Sequence, residues 1–207
     1  MIIAIDGPAG TGKGTISKLL AEELGYIYID TGAMYRAVTI SVLKNELDLN
    51  NLNIEFDNMQ KIFLNGQDVT EQIRSKEVTQ NVSQISSRKE IRIKLVEMQR
   101  KLAQNNNVVM EGRDIGTVVF PNADLKIYLD ANIEERAKRR YIETIAKGIN
   151  ATYEEVLEHF KIRDKNDMEK EMGALKKAPD AIYIDSTNMD IQDVVKKIIE
   201  YINGENK

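Results

Sequence analysis

Short apolar runs punctuate the chain at Ile2–Ile5, Tyr26–Ile29, Val108–Met110, Leu125–Leu129 and Ile182–Ile184, and helical patterns fill most of the intervals. Such runs read as buried strands, and their alternation with helical periodicity predicts parallel strands joined by helices. The first helix is expected from about Gly12 to Leu24, with Gly25 as its C-terminal stop. Ile91, Leu95, Met98 and Leu102 recur at steps of four, three and four, a single apolar stripe that leaves the other helix face for polar work. Asn132-Ile133-Glu134-Glu135 and Thr152-Tyr153-Glu154-Glu155 each read as a helix start, a capping residue followed three positions on by glutamate. A final helix is predicted from about Asp190 to Tyr201, and the tail Asn203–Lys207 is expected to fray.

One region breaks the rhythm. Between about Asn45 and Thr79 the sequence is polar, and Ile62–Val69 reads as a hairpin, because Asn65-Gly66 suits a two-residue turn that needs positive φ. A small β-containing insert beside the main sheet is therefore expected. There is no internal repeat, low-complexity tract or linker.

A chain of 207 residues fits one domain with a small insert and can bury a sizeable core. The balance of 29 Lys+Arg against 33 Asp+Glu gives no broad footprint for nucleic acid, so any anion site must be local. With no cysteine, disulfides, thiolate metal sites and thiol nucleophiles are excluded. No apolar run approaches the roughly 18 residues of a membrane span, and the N-terminus opens on a strand where a leader would carry charge. A cytoplasmic enzyme is the expectation. The single histidine, His159, lies in a polar helix and is expected at the surface.

The strongest chemical signal is Gly7-Pro8-Ala9-Gly10-Thr11-Gly12-Lys13-Gly14-Thr15, set between the first strand and the first helix. A glycine-rich turn after a strand can be only a tight connection. Here four glycines let successive N–H groups converge on one anion, the helix adds its positive end, Lys13 reaches terminal phosphates, and Thr15 offers a hydroxyl toward magnesium. The general pattern G-x-x-x-x-G-K-[ST] is met incompletely, since Gly14 stands where the hydroxyl residue is expected.

Other groups emerge at strand ends. Asp30-Thr31-Gly32-Ala33-Met34-Tyr35-Arg36 follows the second strand; its aspartate is open to reading as a mere helix cap, while Arg36 suits a second phosphate. Glu111-Gly112-Arg113-Asp114-Ile115-Gly116-Thr117 follows the third clear strand, either as an ion pair bracing a turn or as a ligand approach. Arg136, Arg139 and Arg140 share one face of a helix expected over 133–147; Glu135 and Glu143 stand four residues from Arg139 and make a solvated charged face the alternative to a triphosphate clamp. Arg163-Asp164-Lys165-Asn166-Asp167-Met168-Glu169-Lys170 read alone is only the charged end of a helix.

Together with Val82-Ser83-Gln84-Ile85, Gln99-Arg100, the block Gly112–Pro121 and Asp180-Ala181, these motifs resemble the bacterial-type cytidylate kinases (CMP/dCMP kinases), a nucleoside monophosphate kinase family of P-loop NTPases, over nearly the whole chain. The resemblance implies an α/β, three-layer P-loop NTPase fold: a five-stranded parallel sheet flanked by helices, with a small inserted β-containing subdomain and a short helical lid. It implies a single domain over 1–207, with core segments near 1–44, 105–130 and 180–207, an acceptor-binding region with its insert near 45–104, and the lid and following helix near 131–179. MgATP is the implied donor and CMP or dCMP the implied acceptor, handled by a monomer without nucleic-acid or membrane partners. The resemblance places ATP on Gly7–Thr15 with Arg136, Arg139 and Arg140, and magnesium at Thr15 with the ATP phosphates. CMP falls to Thr31, Arg36, Ser83, Arg92, Arg113, Asp114, Arg163, Asp167 and Lys170, with Ser83 and Arg92 reading cytosine, Arg92 from the polar side of the striped helix. The implied catalytic set is Lys13, Arg36, Asp114 and Arg163.

Two positions depart from the family pattern, which has arginine where Lys170 stands and Pro-Leu where this chain has Ala174-Leu175. Lysine keeps the charge and loses the planar fork, so less strict pyrimidine selection is expected. The competing readings are a kinase for another small acceptor (UMP, AMP or a shikimate-like compound), a regulatory GTPase, for which no Asn-Lys-x-Asp motif is found, and a nucleotide-dependent binding module, which the acidic balance disfavours.

Overall fold

The computed structural model describes residues 1–57, 59–146 and 148–204, so Lys147 and the tail 205–207, named above, lie outside the described residues. The chain divides into two compact units, Met1–Ile29 with Asn105–Lys207, and Asp30–Gln104.

The first unit is built on a sheet whose central strand β1 (Ile2–Asp6) pairs in parallel with β6 (Val108–Gly112) and β7 (Leu125–Asp130), while β7 pairs in parallel with β8 (Ile182–Asp185). With β2 (Ile27–Asp30) at one edge, the five-stranded order is β2-β6-β1-β7-β8. Ile3, Ala4 and Ile5 are fully buried, as a strand covered on both faces requires, and this is why it reads as an unbroken apolar run. Helices α1 (Lys13–Leu24) and α7 (Ile191–Asn203) set Ile16, Leu20, Ala21, Val194, Val195 and Ile198 against Ile3, Ile5, Val109, Ile127, Leu129 and Ile184. The spacing of these residues along each helix gives one buried stripe, and at about 25 cal/mol per Å² of apolar surface such burial dominates the folding free energy.

Strand boundaries differ from the apolar runs in a consistent way. β1, β2, β7 and β8 each run one residue further, to Asp6, Asp30, Asp130 and Asp185, because ladder pairing engages backbone groups whatever the side chain. Tyr26 is not in β2: its N–H donates to the Ala21 carbonyl at 2.8 Å, closing the end of α1 at Gly25, and the ladder begins with Ile27 N–H to Asn107 O at 2.9 Å.

Helices α5 (Ile133–Ala146) and α6 (Tyr153–Glu169) form a second small core from Ala137, Val156 and Phe160, together with Ala9 of the glycine-rich loop. Asn132 Oδ1 accepts from the N–H groups of Glu134 and Glu135, at 2.8 and 3.4 Å. Thr152 and Glu155 complete the reciprocal capping box that the sequence predicts. His159 is exposed on α6, as expected.

The second unit opens with α2 (Thr31–Leu43), capped by Asp30 Oδ1, which accepts from Ala33 N–H at 2.9 Å. A three-stranded antiparallel sheet follows, β3 (Ile54–Phe56), β4 (Ile62–Leu64) and β5 (Gln67–Asp68). Asn65 and Gly66 make the expected turn with φ of 49° and 82°. Strand β3 was not legible, being three residues in polar surroundings. Helices α3 (Lys76–Ile85) and α4 (Lys89–Leu102) complete the unit.

The buried face of α4 corrects an expectation. It is formed by Ile91, Arg92, Leu95 and Gln99, with Met98 and Leu102 only partly covered. Arg92 is therefore not on a free polar side but buried beside the apolar stripe, three residues before Leu95 and on its face of the helix. No described helix is long and apolar enough to cross a membrane.

Candidate active site

Parallel strands deliver their following loops to one edge of the sheet, and in the first unit that edge gathers the polar residues. The loop after β1 leads directly into α1, whose first residue is Lys13. Lys13 is 4% exposed, and its Nζ donates to the Pro8 carbonyl at 2.6 Å and to Thr11 Oγ1 at 3.3 Å. Burial first, then repulsion from Arg113 and Arg163, pulls its pKa down to about 7, against the attraction of Glu111 and Asp6. An ammonium destabilised in this way is one that a phosphate group restabilises.

Gly14 has a packing reason that its sequence neighbours conceal. A Cβ there would stand 2.9 Å from Glu111 Oε1, the atom that accepts the Tyr28 hydroxyl at 2.7 Å. The displaced hydroxyl thus follows from a buried carboxylate on β6 occupying the space beside the loop. Thr15, the next residue, is exposed on the first turn of α1. One accessible hydroxyl fits a magnesium ion that keeps most of its waters and shares nucleotide phosphates.

Asp6, absent from the sequence reading, braces the neighbouring loop. Its two oxygens accept from the N–H groups of Ile115 and Gly116 at 2.8 and 2.7 Å, at the start of a π-type turn over Ile115–Val119. Burial lifts its pKa to about 6 despite these two bonds and the Lys13 charge. Its place as the carboxylate ending a buried strand, immediately before Gly7, was the available signal.

Beyond that turn the groups form linked ion pairs. Arg113 Nε donates to Asp167 Oδ2 at 2.9 Å, and Lys170 Nζ donates to Asp167 Oδ1 at 2.9 Å. Burial alone pushes the Asp167 carboxyl up, but the charges of Arg113 and Lys170 outweigh it and hold the pKa at about 2. Asp114 is buried beside Arg113, and Arg163 is half-buried on α6.

The three arginines of α5 occupy different settings. Arg136 is buried, 4% exposed, bonded to the Ala9 and Ala131 carbonyls and to Asp164. Arg139 Nη2 donates to the Ser186 and Thr187 carbonyls at 3.4 and 3.2 Å, in the loop after β8. Arg140 is exposed and pairs with Glu143 at 3.2 Å, so the relief foreseen for Arg139 goes to its neighbour.

The second unit gathers its own polar set. Arg36 Nη1 donates to the Ile73 carbonyl at 3.3 Å and to Thr79 Oγ1 at 3.1 Å. The Arg92 guanidinium lies 5.4 Å from the Tyr35 ring centre and donates to Ser86 O at 3.4 Å. Ser86 Oγ in turn bonds the Ser83 carbonyl at 3.0 Å, which links Arg92 to the half-buried Ser83. Thr31 is buried at the start of α2.

The sheet order and the loop after β1 define a P-loop kinase fold. A shikimate kinase from Bacteroides thetaiotaomicron shares it with a TM-score of 0.53 at 14% identity, each chain covered to 98%. Sequence relationships narrow the class. The cytidylate kinase family model matches residues 3–204. The cytidylate kinase of Caldicellulosiruptor bescii is 52% identical over 211 residues, covering 96% of this chain and 93% of that protein. That of Bacillus cereus is 46% identical over 215 residues, covering 98% and 96%. The chain belongs to the cytidylate kinase family.

Proposed function

We infer that the protein is a phosphotransferase that moves the terminal phosphoryl group of ATP to CMP and dCMP, giving CDP or dCDP and ADP. Family membership over residues 3–204 carries this reading, and the buried Lys13 within a glycine-rich loop supports it chemically. The whole chain is one nucleoside monophosphate kinase domain in this reading, with segment 45–104 and its insert serving the acceptor and 131–179 forming the lid and the helix that follows it. It works as a cytoplasmic monomer on small molecules, without nucleic-acid or membrane partners, in keeping with its mildly acidic balance.

The acceptor brings its own nucleophile. A phosphate monoester with a second pKa near 6 is largely dianionic at pH 7, so one of its oxygens attacks the γ-phosphorus and the bond to the ADP oxygen breaks in line. No general base is needed. What remains for the protein is to hold two anions together and stabilise the charge on the transferred group. Gly7–Thr15 take the ATP phosphates, Lys13 follows the γ-phosphoryl, and Arg139 and Arg140 supply further cations. Thr15 would hold magnesium, which supplies charge neutralisation across the phosphates when bound. Arg36 and Arg163 hold the acceptor phosphate, Thr31, Asp114 and Asp167 surround the ribose, and Ser83 and Arg92 read the base, with Arg113 and Lys170 completing the acceptor set. A closing lid keeps water from replacing CMP.

ADP formation from MgATP with CMP, dCMP, UMP, AMP and dTMP offered separately tests the assignment. The cytidine acceptors are expected to lead by at least about tenfold in kcat/KM, a difference of about 1.4 kcal/mol. No such lead would leave only the kinase class. Lys170 supplies a narrower prediction. Its ammonium is already committed to Asp167, so it lacks the second donor edge that a guanidinium keeps. Lys170→Arg is expected to sharpen the CMP over UMP ratio by about threefold or more, measured from the two kcat/KM values. An unchanged ratio removes Lys170 from base selection.

A further inference from the structure

Phe160, Asp164 and Asp167 fall on the buried face of α6; Phe160 packs directly against Ala9 and Gly10 of the glycine-rich loop, and Asp164 reaches that loop through Arg136. All three guanidinium nitrogens of Arg136 are committed: Nε to Ala131 O at 2.9 Å, Nη1 to Ala9 O at 2.9 Å, and Nη2 to Asp164 Oδ2 at 2.7 Å. The guanidinium carbon lies 5.6 Å from the Phe160 ring centre, and that ring fills the space where a Gly10 Cβ would stand, 2.6 Å from its Cε1. Among the described residues Asp164 Oδ1 is buried without a hydrogen-bond partner, and Asp164 Oδ2 accepts from Arg136 Nη2.

We infer that Arg136 and Asp164 are positioning residues that orient the Ala9–Gly10 peptide so that the Gly10 N–H faces the ATP phosphates. The inference rests on the reading of Gly7–Thr15 as the ATP-phosphate site. In a planar trans peptide the carbonyl and the following N–H point in opposite directions. An Ala9 carbonyl held toward Arg136 therefore turns the Gly10 N–H away from Arg136. Released from that bond, a peptide next to glycine rotates at little steric cost, and a carbonyl turned toward phosphate repels it. Asp164 fixes the strut, because a buried guanidinium charge is costly without an opposite charge beside it, and the ion pair holds the planar group in register. Arg136 thus acts on ATP from behind the loop, through the backbone, rather than by touching phosphate.

The test uses the full-length protein. Asp164→Asn is nearly isosteric and keeps one oxygen for Nη2, but removes the charge. It is expected to raise the dissociation constant and the KM for MgATP about tenfold, the size of one charge-assisted bond, while the KM for CMP stays within twofold. Hydrogen exchange at the amides of residues 9–13 in the nucleotide-free protein should accelerate, a change that global destabilisation would spread over the whole sheet. Arg136→Lys, which keeps a buried cation but cannot span Ala9, Ala131 and Asp164, should do the same. Should both substitutions prevent folding, the unsubstituted protein still decides: its Gly10 amide resonance must shift when MgATP saturates. Variants that bind MgATP within twofold of the parent, or a Gly10 amide indifferent to MgATP, overturn the inference. If the unsubstituted protein binds no MgATP, the nucleotide-kinase reading fails, and this inference with it.

Discussion

Replacing Lys13 by alanine is expected to lower kcat for CMP phosphorylation by about 10³-fold or more, the scale for removing a preorganised charge from a water-excluded transition state. The melting temperature should shift by only a few degrees, at about 2–4 °C per kcal/mol for a chain of this size. Two effects oppose one another in that shift. Removing a buried side chain leaves a cavity, but it also removes a cation that burial and two arginines already destabilise. Loss of rate without loss of fold is the signature of a residue that acts on the transferred group. Single-turnover ADP formation and a melting curve on the same sample check it; CMP-dependent turnover within tenfold of the parent would remove Lys13 from the mechanism.

The same residue sets a pH dependence. In the free protein the Lys13 pKa is lowered to about 7, so its charge is present below that pH and lost as pH rises through it. With CMP held well below its KM, kcat/KM for ATP reports the free enzyme and should fall above about pH 7 by up to tenfold per unit. The turnover number reports the complex, where phosphate charge favours the ammonium, and should hold to higher pH. Lys13→Arg should abolish the alkaline limb, since a guanidinium does not deprotonate in this range.

What the sequence made legible was whatever depends on neighbours along the chain. Central strands announced themselves because burial on both faces leaves few places for polar residues, Glu111 on β6 and Lys126 on β7 being exceptions. Helix starts at Asn132 and Thr152, and the Asn65-Gly66 turn, follow from chemistry within three or four residues. The glycine-rich loop was legible for the same reason. The groups that give the site its geometry lie far apart in sequence: Asp6 meets Ile115 and Gly116, Arg136 meets Ala9 and Asp164, and Arg113 meets Asp167. No spacing rule reports such meetings. The arginine face of α5 shows the consequence, because three cations on one helical face proved to have three separate environments. Arg92 shows the converse, a charged residue that pattern alone assigned to a free face and packing placed against Tyr35.

Gly7→Ala is expected to cost more stability than any other single change in the loop. Gly7 has φ of 153°, outside the range that L side chains readily adopt, and a Cβ built there would stand 2.0 Å from the Leu129 carbonyl oxygen. That obstacle is backbone of β7, so no side-chain rotation relieves it. Backbone strain of about 1–3 kcal/mol adds to overpacking of a similar size, together a large share of the roughly 5–15 kcal/mol that holds a domain folded. The melting temperature should therefore fall by about 10 °C or more. The clash also pushes β1 and β7 apart where both deliver loops to the site, so MgATP should give the variant less thermal protection than it gives the parent. Thermal melts with and without MgATP decide the point, and a variant melting within 3 °C of the parent with full protection by MgATP would show that the loop can move off Leu129 at little cost. The contrast with Gly14 makes this specific: there the obstructing atom is the end of the Glu111 side chain, which can swing aside if its bond to Tyr28 breaks. Alanine at that position should accordingly cost less.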